Sequence, residues 1–150
     1  LRAQGALGHK RAPFAGWLAA RPNWSWIPAV LSLTVAAWVS GFDMLYALQD
    51  LEFDRVHHLQ SFPVRFGVER TIAAVRILHG LAVGSLGLLG LLLGMGFWYW
   101  VGWLAAFALI LREHELVLRF GLEKINEAFF KMNALVSVVM FLAVAIDLTF

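Results

Sequence analysis

Four long runs of apolar residues, separated by short segments that hold most of the charges, dominate this 150-residue chain. They extend over approximately residues 24–49, 71–94, 97–118 and 129–150. Each run is close to the ~20 apolar residues that an α-helix needs to cross the ~30 Å hydrocarbon core of a bilayer. The pattern predicts an all-α fold, a polytopic transmembrane helix bundle of about four spans. We expect residues 1–150 to form a single transmembrane domain.

The second and third apolar runs are separated only by the short segment 94–96, which contains two glycines. Helices joined so tightly are expected to form an antiparallel hairpin. The aromatic cluster 97–103 follows this turn and has the composition of an interfacial aromatic belt. Within the second run, the pairs Gly80-x-x-x-Gly84 and Gly90-x-x-x-Gly94 predict close helix packing.

The composition supports a membrane protein and excludes several other classes. Hydrophobic residues make up 61% of the chain, charged residues 15%, and the mean hydropathy is +0.73. Soluble domains are about 45–50% apolar and about 25% charged, and a chain of this size cannot hide such an excess in one core. An ordinary soluble enzyme and a disordered chain are therefore excluded, and the lipid bilayer is an expected partner.

A net charge of +2 gives no argument for nucleic acid, and the absence of cysteine excludes disulfides and thiolate metal sites.

The basic residues predict the orientation in the membrane. Eight of them lie in or beside the polar loops after the first run and before the fourth, whereas the turn at Gly94 has none. The N-terminal segment, on the same side as that turn, has four. The eight are Arg55, Arg65, Arg70, Arg76, Arg112, Arg119, Lys124 and Lys131. The positive-inside rule then places both polar loops in the cytoplasm.

The end of the first run carries the most informative polar pattern. Asp43, Asp50 and Asp54 are spaced by seven and four residues, which on a helix places them within about 20° of one face. Tyr46 lies close to that face. An intramembrane acid is costly, and carboxylates in a column suit a hard divalent ion such as Mg²⁺, which binds one or two carboxylates together with substrate phosphates. The spacing alone leaves a cation site and a solvated or structural role both open.

Four stretches of the sequence, one of which contains this pattern, resemble a known protein family. Residues 41–54, GFDMLYALQDLEFD, with 61–67, SFPVRFG, resemble the second aspartate-rich region of the UbiA-type intramembrane prenyltransferases. The likeness is strongest to the 4-hydroxybenzoate polyprenyltransferase branch, including its menaquinone-pathway relatives. Residues 112–115, REHE, and 125–133, INEAFFKMN, resemble the final loop and last helix of that branch. The resemblance runs from about Ala12 to Phe150.

The resemblance implies a fold and a reaction. The chain would be the C-terminal half of a nine-helix bundle in a bacterial inner membrane, with the aspartate-rich loop in the cytoplasm. The enzyme would use Mg²⁺ to transfer a polyprenyl group from polyprenyl diphosphate to an aromatic acceptor such as 4-hydroxybenzoate, in ubiquinone or menaquinone biosynthesis. The family's first aspartate motif is absent from this sequence. We therefore expect the isolated chain to be inactive without a partner that supplies the N-terminal half.

The resemblance also implies roles for individual residues. Asp50 and Asp54 correspond to the metal-binding aspartates, and Asp43 and Tyr46 to polar positions lining the same cavity. The expected catalytic residues are therefore Asp43, Tyr46, Asp50 and Asp54. The expected substrate-binding residues are Gln49, Arg65 and Asn133. For Asn133, an amide contact between helices and a substrate contact both remain open.

Polar residues elsewhere in the apolar runs have simpler expected roles. His79 is expected to donate a hydrogen bond between helices. Glu113, His114 and Glu115 splay by 100° each on a helix, so they cannot converge on one ion and are expected to cap the cavity.

Two alternatives to the enzyme remain open. In the first, a small helical membrane protein uses its acidic column as a cation or proton pathway. In the second, the chain is a purely structural membrane subunit, and replacing all three aspartates leaves its function untouched.

Overall fold

The computed structural model describes residues 25–120 and 125–149, and throughout this part of the chain the regular structure is helical. Six helices follow one another: α1 (Ile27–Gln49), α2 (Leu51–Val56), α3 (Phe62–Phe66), α4 (Val68–Leu93), α5 (Phe97–Phe120) and α6 (Ile125–Asp147). The all-α prediction is confirmed. Each of the four apolar runs becomes one long helix, α1, α4, α5 or α6, and the polar loop after the first run folds into the two short helices.

Local chemistry determines where the helices begin and end. Pro28 lies in the first turn of α1, where its missing N–H is no loss, and the N–H of Ile27 donates to Ser25 Oγ at 3.2 Å. Helix α4 stops because Gly94 adopts the left-handed conformation, with φ of 63°. The N–H of Met95 then donates back to the Gly90 carbonyl at 2.9 Å, which satisfies a carbonyl at the helix end.

The N-terminus of α5 is capped by a residue from the far end of the chain. Asp147, the last residue of α6, accepts a hydrogen bond from the Gly96 N–H at 2.6 Å and another from the Tyr99 N–H at 3.2 Å. Both N–H groups lie at the start of α5, where no intrahelical partner exists. The negative carboxylate also matches the positive end of the helix dipole. Asp147 therefore joins the ends of α5 and α6.

We expect Asp147→Ala to lower the free energy of unfolding by about 1 kcal/mol, the usual cost of losing a helix cap. Asp147→Asn keeps an acceptor oxygen and should lose less. Unfolding in mixed micelles would measure both variants. An alanine variant as stable as the parent chain would show that these two hydrogen bonds contribute nothing.

Helices α1 and α4 pack along each other in antiparallel fashion. Near one end of the contact, Thr34 Oγ1 donates to Ser85 Oγ at 2.9 Å. Further along, the buried side chains of α1 and α4 form an apolar cluster. Its members are Phe42, Leu45, Leu48 and Val75. This cluster fixes which face of α1 is covered by α4.

Helices α5 and α6 form the second close pair. A Cβ on Gly102 of α5 would collide with the Cβ of Ala143 on α6, so the two backbones approach closely here. A second apolar cluster connects this pair to α4. Its buried members are Val83, Ala106, Ile110 and Val136.

The expected antiparallel hairpin of α4 and α5 is present. Tyr99 Oη donates to the Leu86 carbonyl at 2.6 Å, and Trp103 Nε1 donates to the Val83 carbonyl at 2.9 Å. The aromatic residues after the turn therefore bind α4 through its backbone as well as through packing.

The predicted glycine packing is present at only part of α4. Gly90 lies directly under the Tyr99 ring, where a Cβ would collide with it. Gly80 and Gly84 have open space where a Cβ would stand, as far as the described residues extend. The prediction of a close contact through Gly80 and Gly84 is therefore wrong within this part of the chain, because the helix next to α4 approaches it through other positions.

Large apolar side chains remain on the outside of the bundle. Ile77, Leu91 and Phe141 are 70%, 70% and 71% exposed. Exposed apolar side chains in this number are expected to be covered by lipid or protein. Helices α1 and α4 are long and apolar enough to cross a membrane. The spans expected at 97–118 and 129–150 coincide with α5 and α6, and their crossing of the membrane stays a prediction.

Candidate active site

The aspartate-rich segment follows a helical path with one interruption. Helix α1 ends at Gln49, and Asp50 has φ of −87° and ψ of 7°, outside the helical region, before α2 begins. The hydrogen bonds nevertheless continue with helical spacing. The Asp50 N–H donates to the Tyr46 carbonyl at 3.2 Å, and the Asp54 N–H donates to the Asp50 carbonyl at 2.8 Å. The acidic side chains therefore keep nearly the spacing that a continuous helix would give them.

The exposed face of α1 and the cap residue at its C-terminus carry three of the predicted residues. Asp43, Tyr46 and Asp50 are exposed, and they lie on the side of α1 away from its buried apolar residues. Asp54 differs from them, because it is buried, with 8% exposed. The structure thus places three predicted residues on one exposed surface, whereas the fourth, Asp54, is buried four residues after Asp50.

The electrostatics of this surface are unbalanced. Of the ion pairs within the described residues, none includes Asp43, Asp50 or Asp54. The ion pair nearest to them in sequence, Glu52 with Arg55 at 2.9 Å, is exposed, and its two charges neutralise each other. Within the described part of the chain, no group of three or more His, Cys, Asp or Glu side chains is arranged to hold a metal ion by itself. The surface therefore offers uncompensated carboxylates but not a complete metal cage.

The predicted substrate-binding residues lie in different surroundings. Gln49 is half-buried at the last position of α1. Arg65 is exposed on α3, and its guanidinium carbon lies 5.3 Å from the centre of the Phe66 ring. Asn133 Oδ1 accepts a hydrogen bond from Trp38 Nε1 at 3.1 Å, which connects α6 to α1. The helix-packing interpretation of Asn133 thus has a specific partner.

The bond between Trp38 and Asn133 can be tested separately from any substrate contact. We expect Trp38→Phe to lower the free energy of unfolding by about 0.6 kcal/mol, the average value for such bonds in membranes. Asn133→Leu should cost a similar amount, and the double variant should cost less than the sum, as measured by a double-mutant cycle in mixed micelles. If Asn133 also binds substrate, Asn133→Leu alone should raise KM. Strict additivity would contradict the interhelical role.

The sequence did not predict the buried contact between Glu113 and His79. Glu113 was expected to cap the cavity, but it is 1% exposed and lies against His79 of α4, which is 0% exposed. His79 Nδ1 and Glu113 Oε1 are 3.7 Å apart, within ion-pair distance but too far for the predicted hydrogen bond. His79 interrupts a long apolar run, which was the available signal, whereas Glu113 lies within the polar cluster 112–115.

Comparison with known proteins identifies the family of this chain. The model of the UbiA prenyltransferase family matches residues 5–135. A 4-hydroxybenzoate octaprenyltransferase from Burkholderia lata is 27% identical over 96 residues, which cover 64% of this chain and 32% of that protein. The enzyme of the same name from Paraburkholderia phytofirmans is 30% identical over 88 residues, which cover 59% of this chain and 30% of that protein. No solved structure matches the chain.

The match includes the whole aspartate-rich segment described above. The chain spans about a third of the length of the curated relatives that it matches. Because the family model covers most of the sequence, the chain belongs to the UbiA prenyltransferase family.

Proposed function

We propose that this chain forms the aspartate-bearing part of an aromatic polyprenyltransferase. The complete enzyme transfers a polyprenyl group from its diphosphate to an aromatic acceptor such as 4-hydroxybenzoate, in quinone biosynthesis. The proposal is supported by the family and by relatives that are named 4-hydroxybenzoate octaprenyltransferases. It places the chain in the bacterial inner membrane with its aspartate-rich loop in the cytoplasm.

The observation that carries the proposal is the open acidic face of α1. Asp43 and Asp50 are exposed beside Tyr46, and no cation among the described residues pairs with them. Carboxylates that repel one another in an apolar protein favour the binding of a cation. The same face lies opposite the packed side of α1, so it is available to a substrate and to the remainder of the enzyme.

The donor set fits Mg²⁺. This ion is usually held by one or two carboxylates with waters and substrate phosphates, so a complete protein cage is not required. Asp50 and Asp54 would hold it; they are four residues apart, with the Asp50 side chain exposed and the Asp54 side chain buried. When bound, the ion neutralises the charge that develops on a departing diphosphate.

The other residues of the face have supporting roles in the proposal. Asp43 and Tyr46 line the cavity where the allylic cation forms as the carbon–oxygen bond breaks, and Asp43 stabilises its positive charge. Arg65, exposed on α3, binds the diphosphate. Gln49 and Asn133 contact the substrates. The apolar helix surfaces exclude water, which would otherwise capture the cation.

The experiment is a prenyl-transfer assay in membranes, with a polyprenyl diphosphate and radiolabelled 4-hydroxybenzoate. It is performed on this chain alone and together with an N-terminal half from a relative, each with Mg²⁺ and with a chelator. Mg²⁺-dependent product only in the presence of the added half would support the proposal. Product from the chain alone would contradict the requirement for a second half. Failure of all combinations, with cation flux into liposomes that is lost in Asp43→Asn, would replace the enzyme with a cation pathway.

A further inference from the structure

The buried pair of His79 and Glu113 has no place in the proposed chemistry and is costly to maintain. Within the described residues, neither ring nitrogen of His79 nor Glu113 Oε1 has a hydrogen-bond partner. A buried polar group without a partner is expensive, and an ionisable group inside a membrane normally has a function. The two atoms that face each other, His79 Nδ1 and Glu113 Oε1, need to approach by only about 0.5 Å to form a hydrogen bond.

The His79 ring lies between two helices and contacts side chains of both. The centres of the Trp38 and Phe42 rings on α1 are 5.6 and 5.2 Å from its own, and that of His114 on α5 is 5.3 Å away. A Cβ on Gly41 would lie 2.5 Å from both Cδ2 and Nε2 of the ring. One edge of the ring therefore touches the α1 backbone at Gly41, and Nδ1 on the ring faces Glu113 of α5.

Gly41 lies on the side of α1 opposite the acidic residues. At 100° per residue, Asp43 lies about 200° and Asp50 about 180° around the helix from Gly41. The His79 ring thus supports α1 from directly behind the acidic face. A shift of the ring toward or away from α1 would move the backbone of α1, and with it Asp43 on that helix and Asp50, whose N–H donates to the Tyr46 carbonyl at the helix end.

We propose that His79 and Glu113 are positioning residues: Glu113 holds the His79 ring in place, and the ring holds α1 by Gly41, so that Asp50 is directed to the metal ion and Asp43 to the allylic cation. The importance of this pair for metal binding rests on the proposed function, whereas its effect on the position of α1 does not. Gly41 is required for this contact, since a larger residue would displace the His79 ring.

The position of α1 is measured first, without metal or substrate. The chain has no cysteine, so cysteines introduced at the exposed residues Leu33 of α1 and Leu111 of α5 can be spin-labelled specifically. In lipid nanodiscs, we expect Glu113→Leu to shift or broaden the distance distribution between the labels. Glu113→Gln keeps the size of the side chain and a polar group facing His79, and should preserve it. An unchanged distribution in Glu113→Leu would overturn the proposal.

A matched control removes another buried polar contact between α1 and α4. Ser85→Ala breaks the bond to Thr34 but leaves the His79 ring in place. We expect its label distances to match those of the parent chain. If Ser85→Ala disturbs them as much as Glu113→Leu does, the effect is general packing and the proposal fails. If Glu113→Leu does not fold, Gly41→Ala displaces the ring from the other side and should produce the same shift.

Metal affinity is the second readout, with Mn²⁺ as the probe because its binding is visible by electron paramagnetic resonance. Loss of a group that orients a metal ligand typically weakens binding 10- to 100-fold. We expect about tenfold weaker Mn²⁺ binding in Glu113→Leu and recovery in Glu113→Gln. Parent-like affinity in Glu113→Leu would overturn the positioning role. If Mn²⁺ binding by the parent chain, measured together with the N-terminal half and a polyprenyl diphosphate, does not depend on Asp50, the proposed function fails, and the label distances still decide whether the pair positions α1.

Discussion

Replacing Asp50 with Asn is expected to lower the rate of prenyl transfer by the assembled enzyme at least about 100-fold. In the proposed function, Asp50 contributes negative charge to the metal site, and the metal ion supplies several kcal/mol of stabilisation to the departing diphosphate. Each 1.36 kcal/mol corresponds to a factor of ten in rate. Because the Asp50 side chain is exposed, the nearly isosteric change should leave folding intact. Asp54→Asn should have a similar effect on turnover.

Glu52→Gln is the matched control for this experiment. It removes one negative charge from the same short segment, but Glu52 is exposed and paired with Arg55. Exposed pairs of this kind contribute about 0–1 kcal/mol, so the rate should change little. Near-normal Mg²⁺-dependent activity in both aspartate variants would refute their assignment as metal ligands. Equal losses in Glu52→Gln would show that overall charge matters and not the specific positions.

A residue far from the acidic face should control the association of α5 with α6. We expect Gly102→Val to lower the free energy of unfolding by about 1–3 kcal/mol, the usual cost of overpacking a close contact. Even the first added carbon collides with the Cβ of Ala143, and the Val139 carbonyl oxygen is 3.6 Å from that position. Small residues that let backbones approach are a main source of helix association in lipid. Unfolding in mixed micelles measures the effect.

The swap of a methyl group between the two helices tests the geometry directly. Gly102→Ala should destabilise the protein, and adding Ala143→Gly should restore part of the loss because the colliding carbon is removed. Gly84→Ala is the control, since its Cβ enters open space. Alanine is the better helix former by about 1 kcal/mol, so this change should be neutral or stabilising. No recovery in the double variant would mean that Ala143 does not limit the approach.

Hydrophobic patterning predicted the helices of this chain well, because long apolar runs leave few other structures in a membrane. The expected run 71–94 became α4 (Val68–Leu93), and the glycine turn after it formed the expected hairpin. Helical periodicity also identified the shared face of Asp43 and Asp50. Spacing alone could not show that Asp54 is buried, because burial depends on how neighbouring elements pack.

Contacts between distant residues explain the remaining differences. Glu113 was interpreted from its immediate neighbours, yet its environment is determined by His79, 34 positions earlier. Asp147 caps a helix that begins 50 residues before it. Local sequence patterns carry no information on such pairs. The function of the acidic face depended on the family resemblance, since the spacing of the three aspartates alone left several roles open.

The pairing of the long helices has a consequence for biosynthesis. Helix α1 packs mainly along α4, and α5 mainly along α6, with a smaller contact joining the two pairs. Each pair is made of successive long helices, so a nascent chain that has been synthesised through Leu93 already contains both members of the first pair. Chains generally fold in order from the N-terminus during synthesis. We therefore infer that α1 and α4 associate as the ribosome is still translating the second pair, and that the contact between Glu113 and His79 forms late, when α5 reaches a surface already in place.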